Sequence, residues 1–564
     1  MHRFLGRLIM NKPSLRPGAW AGLRDLSASL DTRTATAGLP HPPTIDYVPA
    51  VLAAFAICVV LTSISVLVPP YIHWDSGWGF VAWRGTLLGA ANSIIAPDPA
   101  NIARDTAGFL TEWSPGQYLV PGAISLIGIP LGIAMTLTAA LSLLTSLIGW
   151  VMVLKAFAPQ TRLALLIVVL LGLFRYSTMP FGVYYGGEIL IQAATPWFVL
   201  TAWRIPEMDA VVAAFVTGIA VLLAFLAKLS GLIVVAAALV AGSMVALAFG
   251  RRVTRGMVGG ALGALAAVAA VYVGFLSKGP TAASVTSWSL PFRSIAYAFF
   301  VPWVAGMSWT DLMTTIFLPG RDLLYVSPRV VALGIPPAVL VVGLVLFWRP
   351  ETPDEKRLKI FSLWFYSIVA AIFAFLYIHG ASIGLEERYF RSPGTLLFVC
   401  ALLSAFAAGT PRWARGLFLT LCVLMALYGT ASFSTRALAA AKGQSFDRPS
   451  WTNQLIYDAA AIDFIREAYA REGRNALFVL PTPQIPVALP IHARIFTRDF
   501  AWGEPAAARP APPYAGRVPG HVFVLMPNSI SDTNKARGFL SSFADYAPDA
   551  WTRKTFTNMS VFLQ

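Results

Sequence analysis

His73–Gly85 reads HWDSGWGFVAWRG and Phe109–Tyr118 reads FLTEWSPGQY. Both lie in one polar, tryptophan-rich loop, Tyr71 to Tyr118, directly after the first strongly apolar run of the chain. The loop carries Asp75, Arg84, Asp98, Arg104, Asp105 and Glu112 among Trp74, Trp78, Trp83 and Trp113. It is too polar to lie in lipid and too aromatic for a simple solvated linker.

The rest of the chain explains why such a loop stands out. Of 564 residues, 57% are hydrophobic and 12% charged, with a mean hydropathy of +0.67, and apolar runs of spanning length recur from Val48 to about Phe433. That pattern defines a polytopic membrane protein. The runs lack the period-two alternation of a barrel strand, so they are expected to be helices that satisfy their own backbone groups. The fold class is therefore an all-α membrane protein of 11–13 spans with a small C-terminal extracytoplasmic α/β domain. Much of the net charge of +15 falls in short connections, where it reads as an orientation signal and not as a nucleic-acid surface. Cys58, Cys400 and Cys422 lie inside spans and show no metal-ligand spacing. They read as packed thiols.

Residues 1–46 hold six basic and three acidic residues and five prolines, and are expected to be a retained cytoplasmic arm because no signal-peptide core follows the charged start. Basic clusters at Arg251–Arg255, Arg349–Lys359 and Arg412–Arg415 are assigned to the cytoplasmic side. This frame makes 47–435 the membrane domain, with outer loops at 69–118 and 278–328, and puts the tail, 436–564, in the periplasm of an inner-membrane protein. Segments 163–180 and 188–203 read as one span each, and Asp209–Gly250 as two hinged near Lys228. The stretch 118–157 is long enough for two crossings, yet the charge frame demands an odd number. Its Pro121–Pro130 piece is accordingly expected to be re-entrant or tucked against the loop.

In the tail, AAAIDFIREAYAREG has helical periodicity, NALFVLP and HVFVLMP are buried-strand runs, TNKARGFLSSFADY is helical, and MSVFLQ closes as a strand. The alternation predicts an α/β domain without nucleotide-binding glycine spacing. Its proline-rich Glu504–Pro513 reads as a flexible connection.

Sugars present apolar C–H faces and many hydroxyls, so aromatic platforms combined with carboxylates and arginines suit them. The tryptophans equally fit an interfacial aromatic belt. Asp75, a few residues past a span, is placed to accept a proton from a hydroxyl. Lys278, Arg293, Arg388 and Arg391 are candidate cations at the membrane surface, each with an ordinary role as an interfacial anchor. Glu188, at the outer start of a span, is a second candidate. His73 reads as a solvated loop histidine and His379 as either a contact to substrate or a helix cap. Asp98 and Asp105 read as solvated carboxylates, while Glu112, before the Pro-Gly turn, stays open as a second acid.

An acidic residue soon after the first span, a loop of amphipathic character and the aromatic-Pro-Gly-aromatic element Trp113–Tyr118 together resemble the GT-C glycosyltransferases. The likeness is nearest to the protein mannosyltransferase (family 39) and lipid A aminoarabinose transferase branch. Gly384–Pro393, GLEERYFRSP, is similar to the Glu-Arg-Tyr element before a late span in that branch. The chain departs from the pattern in having Asp75-Ser76 for the usual Asp-Glu pair and Thr111-Glu112-Trp113 where some members place a lysine.

The resemblance implies an inverting transfer of a sugar from a polyprenyl-phosphate carrier to a glycan, lipid or protein acceptor at the outer face of the bilayer. It implies Asp75 as general base, and a binding set from Arg84, Glu188, Lys278, Arg293, His379, Arg388 and Tyr389. No metal-ligating residue is named, and a divalent-cation requirement is left open. The competing classes are a transporter or flippase of a lipid-linked glycan, with Lys228 its one midplane charge, and a polysaccharide polymerase or ligase using loop 278–328.

Overall fold

A computed structural model describes residues 47–564 except 99–100, 158–160, 280–290, 318–327, 382, 444–445, 448–449, 454–457, 498–519 and 544–549. The N-terminal arm, residues 280–290 and 318–327 of the second outer loop, and Glu504–Pro513 thus lie outside the described residues. Residues 47–564 form one compact unit.

Among the described residues, eight helices are long and apolar enough to cross a bilayer, and a bent pair, Leu163–Leu173 with Arg175–Phe181, makes a ninth. The first, Val48–Leu67, has a mean hydropathy of 2.6 with only 28% buried within the protein, so most of its surface is fit for lipid. The expectation of 11–13 spans exceeds this count. The difference lies in Gly187–Arg204, which carries Glu188, Gln192 and Arg204, in the short apolar helix Ile335–Phe347, and in stretch 118–157.

Two expected features take a definite form. Stretch 118–157 crosses once, as Leu131–Phe157, while Gly116–Ser125 is a short helix packed on its neighbours Trp74–Leu87 and Leu131–Phe157. The stretch 163–180, read as one span, is a bent one: the chain turns by 61° beside Arg175, where Phe174 adopts an extended ψ of 149°. Between helices Ala210–Ala227 and Leu229–Ala248, Lys228 is fully extended, so its side chain leaves at a break in the helical ladder. The last membrane helix, Arg412–Gly443, has 32 residues. At ~1.5 Å per residue it outruns the ~30 Å hydrocarbon layer and carries the chain into the tail.

Outside the spans the chain builds three small sheets. Strands β1 (Tyr71–Ile72), β4 (Val183–Tyr184), β5 (Phe446–Asp447) and β6 (Thr452–Asn453) assemble in the order β4-β1-β6-β5, with β1 parallel to both neighbours. One sheet thus joins the first loop, the connection before Gly187 and the tail. Strands β2 (Ser93–Asp98) and β3 (Asn101–Phe109) form an antiparallel hairpin within the first loop. The tail sheet contains β7 (Ala476–Leu480), β8 (Arg494–Thr497), β9 (His521–Pro527), β10 (Thr552–Thr555) and β11 (Met559–Leu563) in the order β10-β11-β9-β7-β8. β7 is parallel to β8 and β9, and helix Ala459–Glu472 supplies Ala461, Ile462, Ile465 and Ala468 to the core. This is the α/β alternation the tail sequence carries.

The loop and the tail are locked together by polar contacts. Arg84, 7% exposed, donates to the carbonyls of Pro486 and Leu489 at 3.2 Å, to that of Ala493 at 2.8 Å and to that of Pro490. Arg494 pairs with Asp105 at 2.6 Å. The Trp451 indole N–H reaches the Val66 carbonyl at 2.9 Å, and the Gln484 amide donates to the Tyr71 hydroxyl at 3.1 Å. Replacing Arg84 by Ala leaves buried carbonyls without charged donors. It is expected to destabilise the loop–tail junction by about 2–4 kcal/mol, read by tryptophan-monitored denaturation, with Arg84→Lys restoring part of the loss.

Candidate active site

Asp75 sits in the first turn of helix Trp74–Leu87. His73 is the N-cap: its Nδ1 accepts the Asp75 backbone N–H at 3.3 Å, and its ring lies 4.3 Å from that of Tyr185. The expectation that His73 is a solvated loop histidine is therefore corrected, because it is engaged in starting the helix that aims Asp75.

The carboxylate faces Arg388, the arginine of the Glu-Arg-Tyr element, at 2.7 Å. Arg388 is shared: it also pairs with Glu188 at 3.0 Å and with Glu386. Glu188 in turn receives Lys228 Nζ at 2.5 Å. Lys228 stands 4.5 Å from the Tyr389 ring centroid, and the Arg388 guanidinium 5.4 Å from it, a cation–π floor under both charges. Five ionisable groups from four separate parts of the chain thus meet around Tyr389.

The local backbone explains how Glu188 and Lys228 come so close. Gly186 has φ +64°, and a Cβ on Gly187 would lie 2.4 Å from the Ala227 carbonyl oxygen. The Gly-Gly pair of YYGGEIL therefore lets one helix start against the break in another. Trp74, Trp78 and Trp113 form an aromatic run beside this cluster. Trp78 stacks on Trp113 with centroids 6.4 Å apart and meets Trp74 edge-on at 6.3 Å.

Electrostatics separates the two carboxylates outside the spans. Burial pushes the Asp75 carboxyl up, but the charges of Arg388, His73 and Lys228 outweigh it and hold the group below its ordinary range. Burial pushes Glu386 up as well, and there the charges of Arg388 and Lys228 do not compensate.

A second polar cluster lies beside the first. Asp311, 1% exposed, pairs with Arg391 at 2.9 Å and Arg175 at 3.4 Å, and Glu387 accepts the Asp311 backbone N–H at 3.3 Å. A narrow cavity lined by Glu188, Gln192, Arg388, Arg391, Ser392 and Thr395 runs between the two clusters.

The remaining candidates stand elsewhere. Arg84 is committed to the tail carbonyls, and Glu112 is exposed ahead of Pro115. Lys278 lies 5.0 Å over the Phe109 ring, and Arg293 is exposed at the start of helix Phe292–Phe300. His379 caps helix Pro353–Ile378, with its ring 4.2 Å from Phe375. Asp105, expected to be solvated, is the partner of Arg494. Glu386 and Glu387 were noted in the sequence only as part of the Gly384–Pro393 element, with no role of their own, and Arg175 and Asp311 were not singled out. Their only signal is an ionisable residue beside an apolar run. Among the described residues no group of three or more His, Cys, Asp or Glu side chains could hold a metal ion.

No protein-family model matches the sequence, and no curated protein matches it. Solved structures do. ArnT from Cupriavidus metallidurans bound to undecaprenyl phosphate superposes with a TM-score of 0.50 at 13% identity, over 91% of this chain and 97% of that one, and its apo state gives the same figures. The arabinofuranosyltransferase AftD from Mycobacteria matches with a TM-score of 0.47 at 14% identity, over 91% of this chain and 39% of that one. The chain is a multi-pass membrane protein with the GT-C fold. Its likeness to ArnT extends over nearly the whole length of both chains.

The Asp75–Arg388 pair makes a signed prediction. A carboxyl held low in the folded protein adds stability above its unfolded value, ~3.9, and that stability is lost as pH falls through the folded value. Glu386, held high, contributes with the opposite sign: its stabilisation is present below its unfolded value and lost as pH rises through the folded one. In Arg388→Gln, burial without its main counter-charge lifts Asp75, so the Tm deficit of the variant against the native protein is expected to shrink from about pH 7 to about pH 3. A deficit independent of pH over that range would show that Arg388 does not hold Asp75.

Proposed function

We propose that the protein is an integral-membrane glycosyltransferase that moves a sugar from a polyprenyl-phosphate carrier to an acceptor at the outer membrane surface, with inversion. The observation that carries this reading is the contact of Asp75, at the start of the first-loop helix, with Arg388 of the Glu-Arg-Tyr element, 313 residues away. The GT-C fold shared with ArnT supports it, since that protein was solved with undecaprenyl phosphate bound.

In this reading the acceptor hydroxyl gives its proton to an Asp75 carboxylate oxygen as its oxygen attacks the anomeric carbon. The bond from that carbon to the carrier phosphate breaks, and the electron pair leaves with the phosphate. Negative charge grows on the phosphate as it departs, which Arg388 and Lys228 are suited to offset. Glu188 sets both cations, and Tyr389 supports them from below. Trp74, Trp78 and Trp113 offer apolar faces for the sugar. The basic connections at 251–255, 349–359 and 412–415 support an orientation with the N-terminus in the cytoplasm and Asp75, with the tail domain, on the opposite side.

An unpaired Asp75 would be a better proton acceptor than one bonded to Arg388. Arrival of the carrier phosphate at Arg388 draws that cation away from Asp75 and raises its basicity just where the acceptor binds.

The test is transfer from radiolabelled polyprenyl-phosphate sugars in membranes holding the native protein or Asp75→Asn, which keeps size and polarity but cannot take the proton. Transfer is expected to fall by about 10²–10⁴ with carrier binding retained. Equal transfer by both would remove Asp75 from the chemistry. Absence of transfer by the native protein, with carrier translocation in its place, would replace the enzyme by a transporter.

A further inference from the structure

Apart from the cluster around Arg388, the fold encloses a cavity of about 300 Å³ between the first loop and the tail sheet. Its charged and polar lining is Arg84, Asp105, Thr106, Arg474, His492 and Arg494, and Val81, Leu88, Ile95 and Ile495 supply apolar wall. Three guanidinium charges against one carboxylate leave it electropositive. Arg84 contributes charge more than contact: its donors are turned to four carbonyls, and burial lowers it only to about 10, so it stays cationic at neutral pH. Arg494 spends Nε and Nη2 on Asp105 and on the Ile102 carbonyl. Arg474 and His492, both exposed at the rim, form no ion pair with any described residue.

The cavity is separate from the site of Asp75. Val81, Arg84, Gly85 and Leu88 line it from one face of helix Trp74–Leu87. Arg84 follows Asp75 by nine residues, which at ~100° and ~1.5 Å per residue puts it about 180° round the helix and about 13 Å along it. A group held here therefore cannot be the group reacting at Asp75.

We propose that this cavity is a binding site for an anionic sugar unit, one bearing a phosphate or a carboxylate. Arginine forks fit both anions, and the volume is at the lower end of the ~300–1,000 Å³ of small-molecule sites, sufficient for a single charged sugar. The apolar wall opposite the arginines suits the C–H face of a ring. The anion rests on the arginines alone, whereas the sugar rests also on the glycosyltransferase reading. A site of this kind, fixed to both loop and tail, holds a charged part of a glycan while another part reaches the membrane surface.

The experiment is ligand-observed NMR on the full chain in detergent micelles, with glucose 1-phosphate as probe and inorganic phosphate and glucose as references. Glucose 1-phosphate is expected to bind with a Kd on the order of 1 mM, tighter than either reference. The double variant Arg474→Ala/His492→Ala, altered only at exposed positions, is expected to weaken it at least about tenfold, roughly 1.4 kcal/mol. Unaltered binding in the double variant would overturn the site by placing the probe elsewhere, as at the catalytic cluster. Equal affinity for inorganic phosphate would overturn the assignment to a sugar. No turnover enters the measurement, so its failure is distinct from a failure of the transfer reaction.

Discussion

One guanidinium organises the polar cluster at the end of the membrane helices. Arg388 is held at once by Asp75, Glu188 and Glu386, and Lys228 enters through its hydrogen bond to Glu188. Charges at a membrane surface, half withdrawn from water, are costly unless paired. No one of these side chains could occupy its position without the others. Helix Trp74–Leu87, the break at Lys228, the Gly-Gly start of helix Gly187–Arg204 and the Glu-Arg-Tyr turn are therefore mutually dependent, although hundreds of residues separate them.

The extramembrane structure serves that cluster by fixing the loop that carries Asp75. The β4-β1-β6-β5 sheet hydrogen-bonds the chain just before His73 to the tail. Arg84 and the Asp105–Arg494 pair fasten the far end of the same loop. The tail is in this sense part of the scaffold of the first loop. Its outer cavity exists only because two segments remote in sequence are pressed together there.

The membrane domain was legible in sequence because hydrophobicity along a span is a local property. Val48–Leu67, Arg255–Gly274 and Pro353–Ile378 could be found from apolar run length alone. Short or polar helices such as Phe292–Phe300 and Gly187–Arg204 blurred the count, since their burial depends on neighbours. Asp75, Glu188, Arg388 and Tyr389 could be singled out as chemically capable, yet nothing local said that they meet. Arg84 looked like a binding residue for the same reason that it clamps the tail: a guanidinium offers five donors, and sequence does not say to whom.

The sequence by itself thus determined a helical membrane protein with an aromatic, acidic first loop and an α/β tail, because periodicity and hydropathy are written residue by residue. Tertiary structure alone decided which charges pair. Arg388 with Asp75, Lys228 with Glu188 and Arg494 with Asp105 are long-range choices, made by helix packing and by the cost of leaving any buried charge unpaired.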